Sequence, residues 1–142
     1  MRIERVLAAD EALVGALVRL LPQLSATAEP PGLLELTEVV AAPGTSLLVA
    51  REGDEVVGML TLLLYRLPTG VRGWIHDVVV DEAARGRGIG EALTREALSF
   101  AEAAGARSVH LTTRPEREAA NRLYRGLGFT PYETNVYVWR PH

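Results

Sequence analysis

The spacing of apolar residues changes several times along the chain, and each change marks an element. "RIERV" (2–6) predicts a short strand. Over 11–24 apolar residues recur at three and four positions, which predicts a helix capped by Asp10. "SATAEPPG" (25–32) reads as a loop, and its prolines at 30 and 31 suit the start of a second helix over 32–42. "TSLLVARE" (45–52) and "EVVGMLTLLLYRL" (55–67) are strands joined by a Gly53–Asp54 turn. "PTG" turns the chain again, and "RGWIHDVVV" (72–80) is the next strand. Helical spacing returns over 89–104, with Ile89, Leu93, Ala97, Phe100 and Ala104 on one face and Gly105 as the stop. "RSVHLTT" (107–113) is a strand. Pro115 and Glu116 open another helix, whose Ala120, Leu123, Tyr124 and Leu127 share a face, and Gly128 ends it. "ETNVYVWR" (133–140) predicts a final strand.

The order is β-α-α-β-β-β-α-β-α-β. It predicts an α+β fold in three layers, α/β/α: a mixed, mainly antiparallel sheet flanked by about four helices. A chain of 142 residues with 48% apolar content suits a single domain spanning 1–142.

Composition narrows the chemistry. A net charge of −3 and a pI near 5.6 give no general pull toward nucleic acid or an anionic membrane, so neither is an expected partner. The chain has no cysteine, which excludes disulfides, thiolate metal sites and a cysteine nucleophile. All fifteen basic residues are arginine, so a P-loop lysine and a Schiff-base lysine are excluded as well. No metal is expected. "ALVGALVRLL" (12–21) follows two acids, contains Arg19 and is too short to span a bilayer. It reads as a helix of a soluble, cytoplasmic protein.

Against this background "ARGRGIGEAL" (84–93) stands out. Three glycines and two arginines lie between Arg85 and Gly90, where a strand runs directly into a helix. Each glycine weakens a helix start by roughly 1 kcal/mol relative to alanine. Such a turn can aim several unpaired backbone N–H groups at one point, and the helix start adds about half a positive charge. That combination suits a phosphate or pyrophosphate. Arg85 and Arg87 can add charge at the rim. The spacing is not the dinucleotide fingerprint, because position 91 is Glu, and the Walker pattern fails for want of lysine. A tight turn with no ligand is the simpler alternative, although a turn alone does not need three glycines and two arginines.

"VVVDEAARGRGIGEAL" (78–93) resembles the acetyl-coenzyme A motif of the GNAT superfamily of N-acetyltransferases. Its form, R/Q-x-x-G-x-G/A, is met by Arg85, Gly88 and Gly90. "AANRLYRGLGF" (119–129) resembles the family's second signature, with Ala120, Leu123, Tyr124, Gly128 and Phe129 in place. The element order matches the GNAT fold over nearly the whole chain. One position departs: many members carry Asn seven residues before the tyrosine, where this chain has Arg117, and Asn121 lies on a different face.

The resemblance implies acetyl transfer from acetyl-CoA to a primary amine by direct attack in a ternary complex. It places the pyrophosphate on Arg85, Gly86, Arg87, Gly88, Ile89 and Gly90. It runs the pantetheine arm along Val78, Val79 and Val80, where a local splay leaves backbone groups free, and one of those amides would polarise the thioester carbonyl. It assigns Tyr124 as proton donor to the leaving thiolate, although a tyrosine on an apolar helix face also serves as plain core. An amine attacks only when unprotonated, so a base is required. His76 and Asp77 are the candidates, and regular strand alternation would admit only one of them to the cleft. His76 could equally be a hydrogen-bonded strand histidine, and Asp77 a cap or salt-bridge partner.

The acceptor is a small-molecule or peptide amine. Glu29, Glu35, Glu38 and Glu133 could attract a cation, and Arg66 and Arg72 an acidic amine, though each also reads as a solvated surface residue. A non-catalytic acyl-CoA-binding module is the alternative function. The aromatic end of the chain, "NVYVWR", suggests a homodimer.

Overall fold

Five strands form one sheet in chain order: β1 (Arg2–Arg5), β2 (Thr45–Glu52), β3 (Glu55–Leu67), β4 (Gly70–Val80) and β5 (Val109–His110). The first four are antiparallel to their neighbours and β5 is parallel to β4. The computed structural model describes residues 1–142, which divide into two compact units, Met1–Thr112 and Thr113–His142. The sheet belongs to the first unit, with helices α1 (Glu11–Leu24), α2 (Leu33–Ala41) and α3 (Ile89–Ala103). The second unit contains α4 (Glu118–Gly126). No helix is long and apolar enough to cross a membrane.

Each face of the sheet has its own cover. Leu13, Ala16, Leu17 and Leu20 recur at helical spacing and bring one stripe of α1 onto Leu47 and Val49 of β2, Met59 of β3 and Val79 of β4. Leu36 of α2 joins the same cluster. The other face lies under α3, whose buried Ile89, Leu93, Ala97 and Ala101 repeat every four residues. Gly58 of β3 is where this helix comes closest. A Cβ there would meet Ile89 Cγ2 and Leu93 Cδ1 at 3.2 Å, so only glycine admits the packing without adjustment.

The helix ends follow local chemistry. Asp10 caps α1 by accepting a hydrogen bond from the Leu13 amide at 2.8 Å, a contact of the kind that contributes about 1 kcal/mol. At the end of α3, Gly105 takes φ +75°, and the amides of Gly105 and Ala106 donate back to Glu102 and Ala101. This pair of bonds satisfies two terminal carbonyls.

In the second unit the same device closes α4. Gly128 takes φ +95°, its amide donates to Arg125, and the Phe129 amide donates to the Tyr124 carbonyl at 3.0 Å. The turn brings the Phe129 ring edge-on to Tyr124, with centroids 5.7 Å apart. The signature spacing of tyrosine, glycine and phenylalanine is therefore the geometry of one helix cap.

Two expected strands differ. The strand expected over 107–113 is confined to Val109–His110, and 133–140 forms no strand. High β-propensity becomes a strand only where a neighbour completes the ladder. From Tyr132 to Trp139 the large apolar side chains are instead exposed, Tyr137 at 89% and Trp139 at 82%.

Candidate active site

The centre of interest in the first unit is the end of β4 and the turn that follows it. Up to Trp74 the strand is paired on both sides, through Gly73 with Val109 and Trp74 with His110. The ladder with β5 stops there. From Ile75 to Val80 only β3 pairs with β4, so one edge of this stretch has no strand beside it. The stretch includes Val78, Val79 and Val80, where the resemblance implies a local splay.

A β-bulge lies in the same stretch. Met59 pairs with Val79 and Thr61 with His76, so the single residue Leu60 opposes both Asp77 and Val78. Asp77 absorbs the irregularity at φ +53°, the only non-glycine residue of the chain with positive φ. The extra residue also changes the side-chain phase. Ile75 pairs with Leu62 on the α3 side of the sheet, yet Val79, four residues on, joins the α1 cluster on the opposite face. Regular alternation would have put both on one face. Regular alternation, on which only one of His76 and Asp77 would be admitted to the cleft, is thus broken at this point, and both side chains are exposed.

His76 stacks on Trp74, with ring centroids 6.0 Å apart, and Trp74 stacks in turn on His110 at 5.4 Å. His110 had no marker in the sequence. Its place beside Trp74 comes from the β4–β5 register.

Asp81 is the anchor of the turn. Its amide donates to the Val57 carbonyl, and its carboxylate accepts from the Ala83 amide at the 3₁₀ turn Glu82–Ala84. Arg19 of α1 ion-pairs with the same carboxylate at 3.1 Å and also donates to the Val56 carbonyl. The Ala83 amide, with Arg19 and Gln23, holds the Asp81 carboxyl below its usual range against the opposing effect of burial. Gln23 of α1 accepts from the Glu82 amide at 2.9 Å. Arg19 and Gln23 sit one turn apart on a helix chosen for its apolar stripe, and nothing in their spacing pointed to the distant turn.

Beyond Ala84 the backbone opens. Gly86 and Gly88 take φ +82° and +75°, and a Cβ at either would meet nothing within 4 Å. These glycines serve backbone conformation and leave clear space above the turn. The amides of Gly86, Arg87 and Gly88 have no backbone acceptor. Those of Ile89, Gly90 and Glu91 belong to the first turn of α3, where no intrahelical acceptor exists. The first helical bond runs from Ala92 to Gly88. Glycine-rich backbone, clear space and unpaired donors at a helix start fit a phosphate-bearing ligand such as coenzyme A.

The arginines are more constrained than free rim charges. Arg85 donates through Nε to the Val80 carbonyl at 3.2 Å. Arg87 is paired with Glu52 of β2 and donates to the Ala83 carbonyl at 3.3 Å. The side chains of Val79 and Ile89 are core, so these two residues can serve a ligand only through their backbone.

Other expected residues lie elsewhere. Glu29, Glu35, Glu38 and Glu133 are on the surface. Arg66 lines a cleft of about 430 Å³ with Thr69, Gly70 and Arg107, at the opposite end of β4 from the glycine turn. In the second unit Tyr124 is buried on α4. Burial pushes its phenol up from the ordinary value of 10.0, and the charge of Arg117 opposes that. Asn121 donates to the Arg114 and Arg117 carbonyls at 3.0 and 2.8 Å, so it staples the start of α4.

Known proteins share this fold. The sequence pattern of the "Acetyltransferase (GNAT) family" matches residues 15–129. A mycothiol acetyltransferase of Beutenbergia cavernae is 37% identical over 99 residues, 70% of this chain and 33% of that protein. The N-alpha-acetyltransferase RimI of Mycobacterium tuberculosis is 36% identical over 90 residues, 63% of this chain and 55% of that protein. The match thus spans 33% and 55% of the length of these two relatives. A solved putative acetyltransferase from Agrobacterium tumefaciens superposes with a TM-score of 0.87 at 26% identity, covering 99% of this chain and 100% of that one.

Proposed function

Because the chain belongs to the acetyltransferase (GNAT) family, we propose that it moves an acetyl group from acetyl-CoA onto a primary amine, with both substrates bound at once. The observation that carries this reading is the row of unpaired amides from Gly86 to Glu91 beside the unladdered edge of β4. The family match and the superposition both run through the two compact units, which supports treating 1–142 as one acetyltransferase domain.

When bound, acetyl-CoA supplies a thioester whose carbon accepts the amine nitrogen as the carbon–sulfur bond breaks. The chain's own residues then have four tasks. The amides of Arg85 to Gly90 hold the pyrophosphate. A backbone N–H among Val78, Val79 and Val80 donates to the carbonyl oxygen as negative charge develops there. His76 takes the proton that the amine sheds, as the general base that direct attack requires. Tyr124 returns a proton to the departing sulfur, and its raised pKa keeps the phenol protonated at neutral pH. Asp77 is the second candidate base, exposed beside His76. With no cysteine in the chain, direct attack needs no cysteine-linked acyl-enzyme.

The test is calorimetry with coenzyme A followed by thiol release across a panel of amines. Binding at a hundredfold excess over Kd should raise stability by roughly 2.7 kcal/mol. Binding together with amine-dependent thiol release supports the enzyme. Binding without release from any amine identifies an acyl-CoA-binding module, and absence of binding ends both readings.

A further inference from the structure

We propose that the cleft at the hairpin end of β4, lined by Arg66 and Arg107, is a second anion site, built for a small ligand with two or three carboxylates. The inference stands apart from the proposed reaction.

The charge of this end of the sheet runs against that of the chain. The net charge is −3, yet no Asp or Glu occurs between Glu55 and Asp77 or between Glu102 and Glu116. Histidines aside, the only ionisable groups with full charge in 56–76 and 103–112 are Arg66, Arg72 and Arg107. The carboxylates that pair with arginine all lie elsewhere and hold Arg2, Arg19, Arg51, Arg87 and Arg95. Arg66 and Arg107 are exposed and have no carboxylate partner. A cleft lined by one sign of charge concentrates the opposite ion.

The backbone brings both arginines to one place. Leu62, Leu64 and Arg66 of β3 stand opposite Ile75, Gly73 and Val71 of β4, so Arg66 lies on the α3 side of the sheet. Ala104 and Gly105, just beyond α3, line the same cleft of about 430 Å³. Arg107 reaches it across a seat that only glycine provides. A Cβ on Gly70 would come within 2.9 Å of Arg107 Cδ and 3.2 Å of its Nε, and Gly70 takes φ +123°. The Arg107 amide donates to the Val71 carbonyl at 2.9 Å, which fixes the root of the side chain. Thr69 adds neutral donors. Its amide has no backbone acceptor, and its hydroxyl oxygen accepts from Arg72 at 3.5 Å, which leaves the hydroxyl proton for a ligand.

The lining sets the ligand's chemistry. Guanidinium forks take carboxylates and phosphates bidentately, and two forks call for two acidic groups. Pro68, Val71 and Ala104 supply apolar surface for a carbon skeleton. The end of α3 carries partial negative charge, which opposes a phosphate dianion more than singly charged carboxylates. The volume falls in the range of small-molecule sites, about 300–1,000 Å³. The 15 residues of α3 separate this cleft from the glycine turn by about 22 Å, so the ligand and coenzyme A need not compete.

Calorimetry with citrate at low ionic strength tests the proposal, since salt screens exposed charges. One citrate should bind per chain, with or without saturating coenzyme A. Arg66→Ala and Arg107→Ala should each weaken it about tenfold, as loss of a charge-assisted contact does. Arg2→Ala on β1 should leave it unchanged, and inorganic phosphate should bind more weakly than citrate. Absence of saturable citrate binding, binding that survives both arginine substitutions, or an equal loss in Arg2→Ala would each overturn the proposal. Displacement of citrate by coenzyme A would overturn it by moving the anion to the glycine turn, and phosphate binding as tight as citrate would reject the carboxylate class. A chain that binds citrate but not coenzyme A would sink the proposed reaction and leave this site standing.

Discussion

Arg87 holds Glu52 through a single guanidinium nitrogen, which lies 2.9 and 2.7 Å from the two carboxylate oxygens. The pair joins the glycine turn to the end of β2, and the other terminal nitrogen of Arg87 reaches back to the Ala83 carbonyl. The arginine is thus a tether within the turn before it is a charge offered to a ligand. Exposed pairs of this kind contribute about 0–1 kcal/mol to folding. Glu52→Gln should therefore shift the denaturation midpoint little while weakening coenzyme A several-fold, because the turn loses its preset shape. Calorimetry that found tighter binding would mean that Glu52 merely competes for the arginine.

Gly58 and Gly88 should fail for different reasons when changed to alanine. At Gly58 the new methyl would meet Ile89, Leu93 and the Val79 carbonyl at 3.2–3.3 Å. Overpacking of this sort costs about 1–3 kcal/mol and should appear in urea unfolding. At Gly88 there is open space but φ is +75°, so the cost is backbone strain of about 1–2 kcal/mol. Gly88→Ala should also lower coenzyme A affinity, whereas Gly58→Ala should lower it less. Equal losses of affinity would detach the glycine turn from ligand binding.

Asp77 offers a test that separates strain from chemistry. At φ +53° a β-branched residue is strongly disfavoured. Asp77→Val should destabilise the fold by about 1–3 kcal/mol. Asp77→Gly should hold or raise stability. If Asp77→Gly folds well and turns over normally, His76 is left as the base. If it folds well and loses turnover with an altered pH profile, the carboxylate takes part.

The pH dependence has two windows. Asp81 has a lowered folded pKa, so the stability it contributes is present above its ordinary value of 3.8 and is lost as pH falls through the folded value. Asp81→Asn should flatten that acid limb. Tyr124 has a raised folded pKa, so its contribution is complete below 10.0 and is lost as pH rises toward and through the folded value. Ultraviolet titration should show one of the four tyrosines ionising late, and Tyr124→Phe should remove that late step.

Those anchors show why parts of the site were legible in advance and others were not. The glycine turn was readable because its residues are costly in any other role, and Gly86 and Gly88 do take left-handed backbone. The helices were readable because a buried stripe such as Leu13, Ala16, Leu17 and Leu20 repeats along one segment. The bulge at Asp77 was not, since "WIHDVVV" contains no glycine or proline to mark where the extra residue sits. Arg19 and Gln23 were also hidden, because their partners Asp81 and Glu82 are distant in sequence. The segment 133–140 misled for a different reason: strand propensity is local, whereas a ladder requires a second backbone.

The bulge divides β4 into two registers, and so Asp77 works as a spacer rather than as one more strand position. Removing that single residue would let the ladder with β3 run evenly: Val78 alone would oppose Leu60, while His76 would keep Thr61 and Ile75 would keep Leu62. Every other side chain of β4 would therefore stay on its present face, and the deletion would take away the local bend without turning the strand inside out.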